Sequence, residues 1–504
     1  MTKSLSKAIA LATLVGATAS AQAAPVAVNH DGLGEVLLYS LYTAEEGNIT
    51  NINITNTTNV AKAVKVRFVE GQNSQEVLDF NLYLSPRDQW SGAVTATANG
   101  AQLITTDKSC TAPANIGLTG VEFKDLDFIG DGGEQSLART RVGHLEVIEM
   151  GTLIGDLAKA VEAGNGPGQA PANCGAIAKA FAVGGVWEEG TNFQTGLKGT
   201  EVKKTDLIVG TPGGLYGSAS ILNIDGSTQI SYDAVALKGF LAASNLHARP
   251  GTIYPTLDGV VEAGGNSFTR TGAGNKGTTV KEITAALAVS NIHNDFVLDE
   301  GRLSETNWVV TYPTKRFHVD VNMADGLANA AKIKLDEAKK VFDAAVVAAS
   351  GDTTAIKTAQ ANLTAAEVTY KTDLAAALTP FQNVWNKGVS CDSVKLNVWD
   401  SEEFPLSDLE FSPSRPGEAS KLCYETNILT FNGSKMLGGE FVSKNIELAQ
   451  PDFQFGWMDI GFATTAAPKG LPAIGFSAVT VKNNNTSNGL NNNYGSATKH
   501  KATK

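Results

Sequence analysis

The segment ITNINITNTTNVAKAVKVRFVEGQNSQEVLDFNLYLSPRDQW, residues 49–90, decides the fold. Within it Ile52 and Ile54, then Val64, Val66 and Phe68, then Leu78, Phe80, Leu82 and Leu84 alternate with Asn, Lys, Arg and Asp. A period of two sends successive side chains to opposite faces, so each run reads as a strand with one buried face. Asn56-Thr57-Thr58-Asn59 and Gly71-Gln72-Asn73-Ser74 supply turn chemistry between the runs. Half-apolar strands in succession stay exposed until a second layer covers them. The expectation is a mainly β chain of Ig-like or Greek-key β-sandwiches. Pro86 ends the third strand, and Trp90 offers a large ring to cap the core.

Lys3 and Lys7 precede an apolar run from Ala8 to Ala17, and Ala21-Gln22-Ala23 follows. Residues 1–23 therefore read as a secretory signal peptide cleaved after Ala23. No cysteine follows that point to carry a lipid anchor, and no later stretch reaches the length of a transmembrane helix. The mature chain is expected to be exported, at the cell surface, extracellular or in the periplasm. Forty basic against fifty-one acidic residues give a net charge of −11, which argues against nucleic acid or an anionic membrane as partner.

The four cysteines, Cys110, Cys174, Cys391 and Cys423, read as two disulfides in an exported protein, with three connectivities open. A Cys391–Cys423 bond would pin two strand-like segments across one loop, leaving Cys110 with Cys174. No C-x-x-C pair suggests a redox or metal role.

In chain order, Val36 to Tyr42 reads as a first strand, and Ser91 to Gly120 as loop or weak strand. Asp125, Asp127, Asp131 and Glu134 then form an acidic turn. Counted from Asp125, Gly130 fits the turn glycine of a calcium loop, but Ile129 and Ser136 occupy ligand positions, so no metal is expected. The turn leads into a strand over Gly143 to Met150, and Arg139, Arg141, Glu146 and Glu149 read as exposed pairs among themselves or with the turn. Thr152 to Ala163 and Ala170 to Ala182 are helix-like. Leu215 to Tyr232 is a hairpin around Asp225-Gly226, and Ala234 to Phe240 a helical turn. The Pro- and Gly-rich stretch Asn245 to Lys276 reads as the boundary between an N-terminal region, 24–245, and a C-terminal β-rich region, 246–482.

In the second half Thr279-Val280-Lys281-Glu282 reads as a capping box. Strands are expected at Phe296 to Leu298, Trp308 to Tyr312, Leu396 to Trp399, Leu422 to Phe431, Phe453 to Phe462 and Leu471 to Lys482, with Pro313 at an edge or bulge. Between them, residues 323–379 carry the clearest helical signal. Ala328, Ala331, Leu335, Ala338, Phe342, Ala345 and Ala349 follow three-four spacing, repeated by Ile356, Ala359, Leu363, Ala366 and Tyr370. These seams predict an antiparallel helical hairpin with arms on the order of 40 Å. The Asn- and Gly-rich tail, 483–504, reads as disordered.

No catalytic constellation emerges: the chain lacks G-x-S-x-G, H-E-x-x-H and a P-loop. Gly272, Gly274 and Gly277 match a bare G-x-G-x-x-G string, but no buried strand precedes it. Glu402 and Glu403 after Asp400 read as an exposed loop, the six histidines are scattered, and Trp187 or Trp385 are candidates for stacking on glycans. The sequons at Asn48, Asn53 and Asn56 fall at polar strand and turn positions.

The blocks VLLYSLYT, NTTNVAKAVKVRFVEGQNSQEVLDFNLYLSPRDQW, GDGGEQSLARTRVGHLEVIEMG, YDAVALKGF, NWVVTYPTKRF and KLCYE resemble a family of uncharacterised secreted or cell-surface proteins of Gram-negative bacteria. The resemblance spans nearly all of the mature chain except the helical hairpin and the tail. It implies location and a β-rich fold, with no catalytic or cofactor-binding residues to carry over. The expected function is an exported, non-enzymatic structural or adhesive protein, with a self-assembling subunit as one version, whose partners are other copies of itself or cell-envelope components. The alternative is a secreted or periplasmic carbohydrate-binding or carbohydrate-active protein.

Overall fold

The computed structural model describes residues 25–504 apart from 115, 118, 165–167, 189–196, 199–200, 203–207, 210–212, 242–245, 260–277, 323–325, 349–352, 404, 406–419, 449–452, 463–468 and 484–492. The expected signal peptide and the Gly272, Gly274 and Gly277 string lie outside the described residues.

The chain is mainly β, as the alternation in residues 49–90 requires. Sheet I runs Ala27–Val28, Val235–Lys238, Val36–Thr43, Val142–Leu153, Lys62–Glu70, Glu76–Leu84, Cys110–Ala112, with Ile208–Val209 also paired to Val142–Leu153. Sheet II runs Thr228–Asp233, Leu215–Asn223, Asn48–Asn56, Gln89–Ala96, Ala101–Ile104, Val121–Glu122. Register places Leu37, Val147, Val66 and Phe80 in one row across four strands of sheet I. That row meets Ile52, Ile54, Ala219 and Trp90 of sheet II in one buried cluster, so Trp90 does cap the core. Gly217 is required here, because a Cβ at that position would strike the Tyr39 hydroxyl, which donates to Asn53 O at 2.6 Å.

The second sandwich repeats the arrangement. Sheet III runs Ser420–Leu422, Asp392–Asp400, Phe455–Phe462, Asn291–Val297, Lys501–Thr503; sheet IV runs Ser443–Ile446, Thr426–Phe431, Ser304–Thr311, Ile474–Val481, Tyr494–Lys499. The three central strands of sheet IV are buried on both faces. Trp308, Val310 and Leu429 point into the sheet III core, while Val309, Ile428 and Phe476 join the core of the first sandwich. Phe476 stacks on Tyr232 with ring centroids 4.6 Å apart, and Thr311 Oγ1 donates to Ser40 O at 2.6 Å.

The face of sheet I away from its sandwich core is covered by a third layer. The helix Thr278–Leu287 contributes Val280 and Ile283, and the short helix Lys315–Val319 contributes Phe317, against Val36, Leu38 and Ile148. Leu246 to Gly259 lies over the same face, with Thr252 O accepting from Lys65 and Ala248 O accepting from Asn81. The described part of Asn245 to Lys276, expected as the boundary between the two regions, lies as a cover on the first sandwich, and Leu246 N–H adds a bond to Met150 O of sheet I.

Other local expectations also change. Ala234 to Phe240 contains the strand Val235–Lys238 rather than a helical turn, because pairing with Val36–Thr43 outweighs weak local preference. Within Ser91 to Gly120, expected as loop or weak strand, the strand alternative holds for the later part of Gln89–Ala96 and for Ala101–Ile104 and Cys110–Ala112. Leu422 to Phe431 is divided between sheets III and IV. Pro313 lies beyond the end of the central strand Ser304–Thr311 and not at an edge or bulge, so its missing N–H costs no ladder bond. The described part of the tail is ordered: Tyr494–Lys499 closes sheet IV and Lys501–Thr503 closes sheet III, with His500 buried at the corner. Edge strands draw their stability from backbone pairing, so a polar composition did not signal them.

The helical hairpin is present as Leu327–Ala348 and Thr353–Leu378. Ala328, Ala331, Leu335, Ala359, Ala377 and Leu378 are buried, Lys334 bridges the arms to Asp373 at 2.7 Å, and His318 Nδ1 lies 2.8 Å from Ala377 O at the base.

Candidate functional site

The charged positions of sheet I are placed by register. Arg67 stands opposite Glu146 and Asp79, one residue out of phase with the Val147–Val66–Phe80 row. It pairs with Glu146 and, at 3.0 Å, with Glu76. Lys65 meets Asp79 at 2.5 Å and Lys62 meets Glu149 at 2.6 Å. Arg139 pairs with Glu70 at 2.7 Å and with Asp131 at 2.6 Å, its guanidinium 4.2 Å from the centre of the Phe128 ring. Lys315 meets Asp392 at 3.0 Å. The expected exposure is therefore corrected: Arg139, Glu146 and Glu149 are buried; Arg139 keeps the expected pairing with the acidic turn through Asp131, while Glu70, Arg67 and Lys62 of the neighbouring strand Lys62–Glu70 supply the other partners. Arg141 instead donates to Gly100 O, Thr97 O and Ala98 O.

Burial governs how these groups titrate. It pushes Glu76 and Glu149 up to about 7, against the pull of Arg67 and Lys62 respectively. Burial would also raise Asp131, but the Arg139 hydrogen bond and charge more than reverse it. His144 and His247 are pushed down to about 3, and His318 and His500 to about 4, chiefly by burial. Beside Arg316 and Glu425 the remaining space is about 10 Å³, room for one water and no substrate.

The outer face of sheet III is different. Trp399 and Trp457 stand opposite one another in register and stack, ring centroids 4.2 Å apart at 15°. Trp457 is 40% exposed and Phe455, on the same face, 41%. Beside them Asp459 accepts from Asn291 at 2.8 Å, from Asn397 at 2.9 Å and from His293 Nδ1 at 3.0 Å. His293 Nε2 lies 3.2 Å from Thr503 Oγ1. This carboxylate–imidazole–hydroxyl chain has the order of a hydrolytic relay. It lies on an open sheet face, however, where the backbone around Thr503 is engaged in pairing with Asn291 and Ser290. The carboxylate is already filled by three neighbours.

Of the residues singled out from sequence, the four cysteines are brought together as Cys110–Cys174 and Cys391–Cys423. The acidic turn is not gathered. Asp131 faces Arg139 and Asn73, while Glu134 accepts from the N–H groups of Gln135 and Ser136. Among the described residues no group of His, Cys, Asp and Glu side chains is arranged to hold a metal ion. Glu402 and Glu403 are exposed, with Asp400 accepting from the Glu402 N–H. Trp187 is buried 4.5 Å from His247, out of reach of a glycan. Asn48 and Asn56 are buried, donating to Met436 O and to Val60 O and Ser85 O. The missed residues are Trp399 and Trp457. They alternate with Val394, Leu396 and Val398 and with Met458, Ile460 and Phe462, so the same period of two assigns them to the outer face. No family model, no curated protein and no solved structure matches the chain.

Proposed function

We propose that this is an exported, non-enzymatic protein of the cell surface, a structural or adhesive component working among other copies of itself or cell-envelope components. The observation that carries the reading is the interior of sheet I, where Arg67, Arg139, Lys62 and Lys65 are consumed by buried carboxylates. Groups that could move protons serve as fasteners there. Two disulfides support the same reading. Sheets I and III end in strands of only two or three residues on both sides, which discourages assembly by strand addition. Contacts with neighbours then fall to the outer faces and the helical hairpin. Fractionation of cells carrying labelled protein tests the location: recovery from the envelope, surface or medium is expected, and recovery from the cytosol overturns the reading. Electron microscopy of secreted material showing only monomers would remove the self-assembling version.

A second reading, carbohydrate binding, is favoured by the exposed Trp457 and Phe455 beside Trp399. Aromatic faces suit the apolar face of a sugar ring. Saturable binding on a glycan array that is lost in Trp457→Ala would favour it; no binding to any glycan would discard it.

A further inference from the structure

Where the N-terminal strand, the Thr278–Leu287 helix and the last strands meet, the protein leaves a cleft of about 340 Å³, within the size range of small-molecule sites. Its walls are apolar, with Val28, Val235, Leu287, Val289, Ile292 and Ile474. They belong to two separate core clusters that stop short of one another here. The cleft continues past Val28, His30, Val235 and Lys499 into a second space of about 370 Å³ that reaches Tyr232 and Phe476.

The rim of the first space is basic. Lys499, Lys501 and Lys504 line it, all exposed, and no Asp or Glu does. None of the three forms an ion pair among the described residues; Lys504 Nζ reaches only Ala286 O, at 3.3 Å. This reverses the sign of a chain whose net charge is −11. The polar groups on the tryptophan face satisfy one another, whereas these cations form no ion pair among the described residues beside open apolar surface; Asp233 lines the second space and not the first. A ligand complementary to both must be amphipathic and anionic.

We propose that this cleft binds a single free amphiphile with a carboxylate or phosphate head, its aliphatic chain against Val28, Ile292 and Ile474 and its head on Lys499 and Lys501. The site goes beyond the structural or adhesive reading and stands or falls without it. It is assembled by the C-terminal strands, since the lysines flank His500, which is fixed by Val309 O at 3.0 Å and by Asn294.

The test uses the full mature chain and calorimetric titration with monomeric laurate and dodecyl phosphate, set against dodecyltrimethylammonium, dodecyl maltoside and phosphatidylglycerol vesicles. Saturable binding of one equivalent of either anionic amphiphile is expected. It should weaken on the order of tenfold in the Lys499→Ala/Lys501→Ala variant, the scale of a lost charge-assisted contact, and persist in Lys395→Ala, on the strand Asp392–Asp400 that does not line the cleft. Both variants change exposed side chains, and equal melting temperatures establish that they fold. Equal binding of the cationic or neutral amphiphile, binding to vesicles alone, or indifference to the lysine substitutions would each overturn the proposal.

Discussion

Arg139 donates its Nε and Nη2 to the two carboxylate oxygens of Glu70, at 2.7 and 2.9 Å, with both side chains essentially out of water. Glu70 also accepts the N–H groups of Gln72, Asn73 and Gln75, so one buried pair fixes the turn between two strands and ties it to the acidic turn through Asp131. Arg139→Met leaves Glu70 buried without its counter-charge and is expected to cost about 3–5 kcal/mol in urea unfolding. Arg139→Lys should also lose stability, because a single ammonium cannot span both oxygens. A loss below about 1 kcal/mol in the Met variant would show that the pair is incidental.

His144 lies buried in the central strand of sheet I, with Thr426 Oγ1 at 3.4 Å and Arg67 and Arg316 nearby. Its folded pKa, about 3, lies below the ordinary imidazole value of 6.5, so the unfolded chain binds the extra proton between those values. The contribution to stability is complete above pH 6.5 and declines as pH falls toward 3. His144→Gln is therefore expected to flatten the dependence of unfolding free energy on pH across that window, by up to about 1.4 kcal/mol per pH unit. An unchanged slope would mean that the imidazole titrates freely in the folded protein.

Truncation before Asn493 removes the edge strands Tyr494–Lys499 and Lys501–Thr503 and strips His500 from the Trp308 ring, 4.9 Å away. It also removes the Asn493 contact to Gly226 O across the two sandwiches. The melting temperature should fall by roughly 5 °C or more, and amide exchange should quicken along Ile474–Val481. An unaltered exchange pattern would place the tail outside the cooperative unit.

The Cys391–Cys423 bond closes a loop of 32 residues and Cys110–Cys174 one of 64. Loop-closure entropy assigns each about 4 kcal/mol. Cys391→Ala/Cys423→Ala should lower the unfolding midpoint and raise the denaturant slope, because the freed denatured chain exposes more surface, and reduction should lower the midpoint further in the variant that retains Cys110 and Cys174.

The distal helical hairpin packs on itself, with Val341, Val347 and Val368 exposed. Replacing residues 337–371 with a short Gly-Ser turn keeps the base at Ala331, Leu335, Ala377 and Leu378. The melting temperature should then change by no more than about 2 °C. A large loss would show that the arm folds back on the body.

Sequence alone determined the elements whose signal is local. Alternation in Ile49 to Trp90 set the strands and their core face, the alanine-rich three-four spacing set the hairpin, and Asp225-Gly226 set a turn. It marked Cys391 and Cys423 as candidate partners by the strands beside them. Tertiary structure decided what lies over each face. Period two separates Lys65 and Arg67 from Val64, Val66 and Phe68 without saying whether the charged side meets water. Residues 246–259 and two helices, distant in the chain, cover that side and turn the expected surface charges into buried pairs. The same limit hid the ordered tail and its cleft, because an edge strand is held by the backbone of a partner and a cleft by elements that meet only in space.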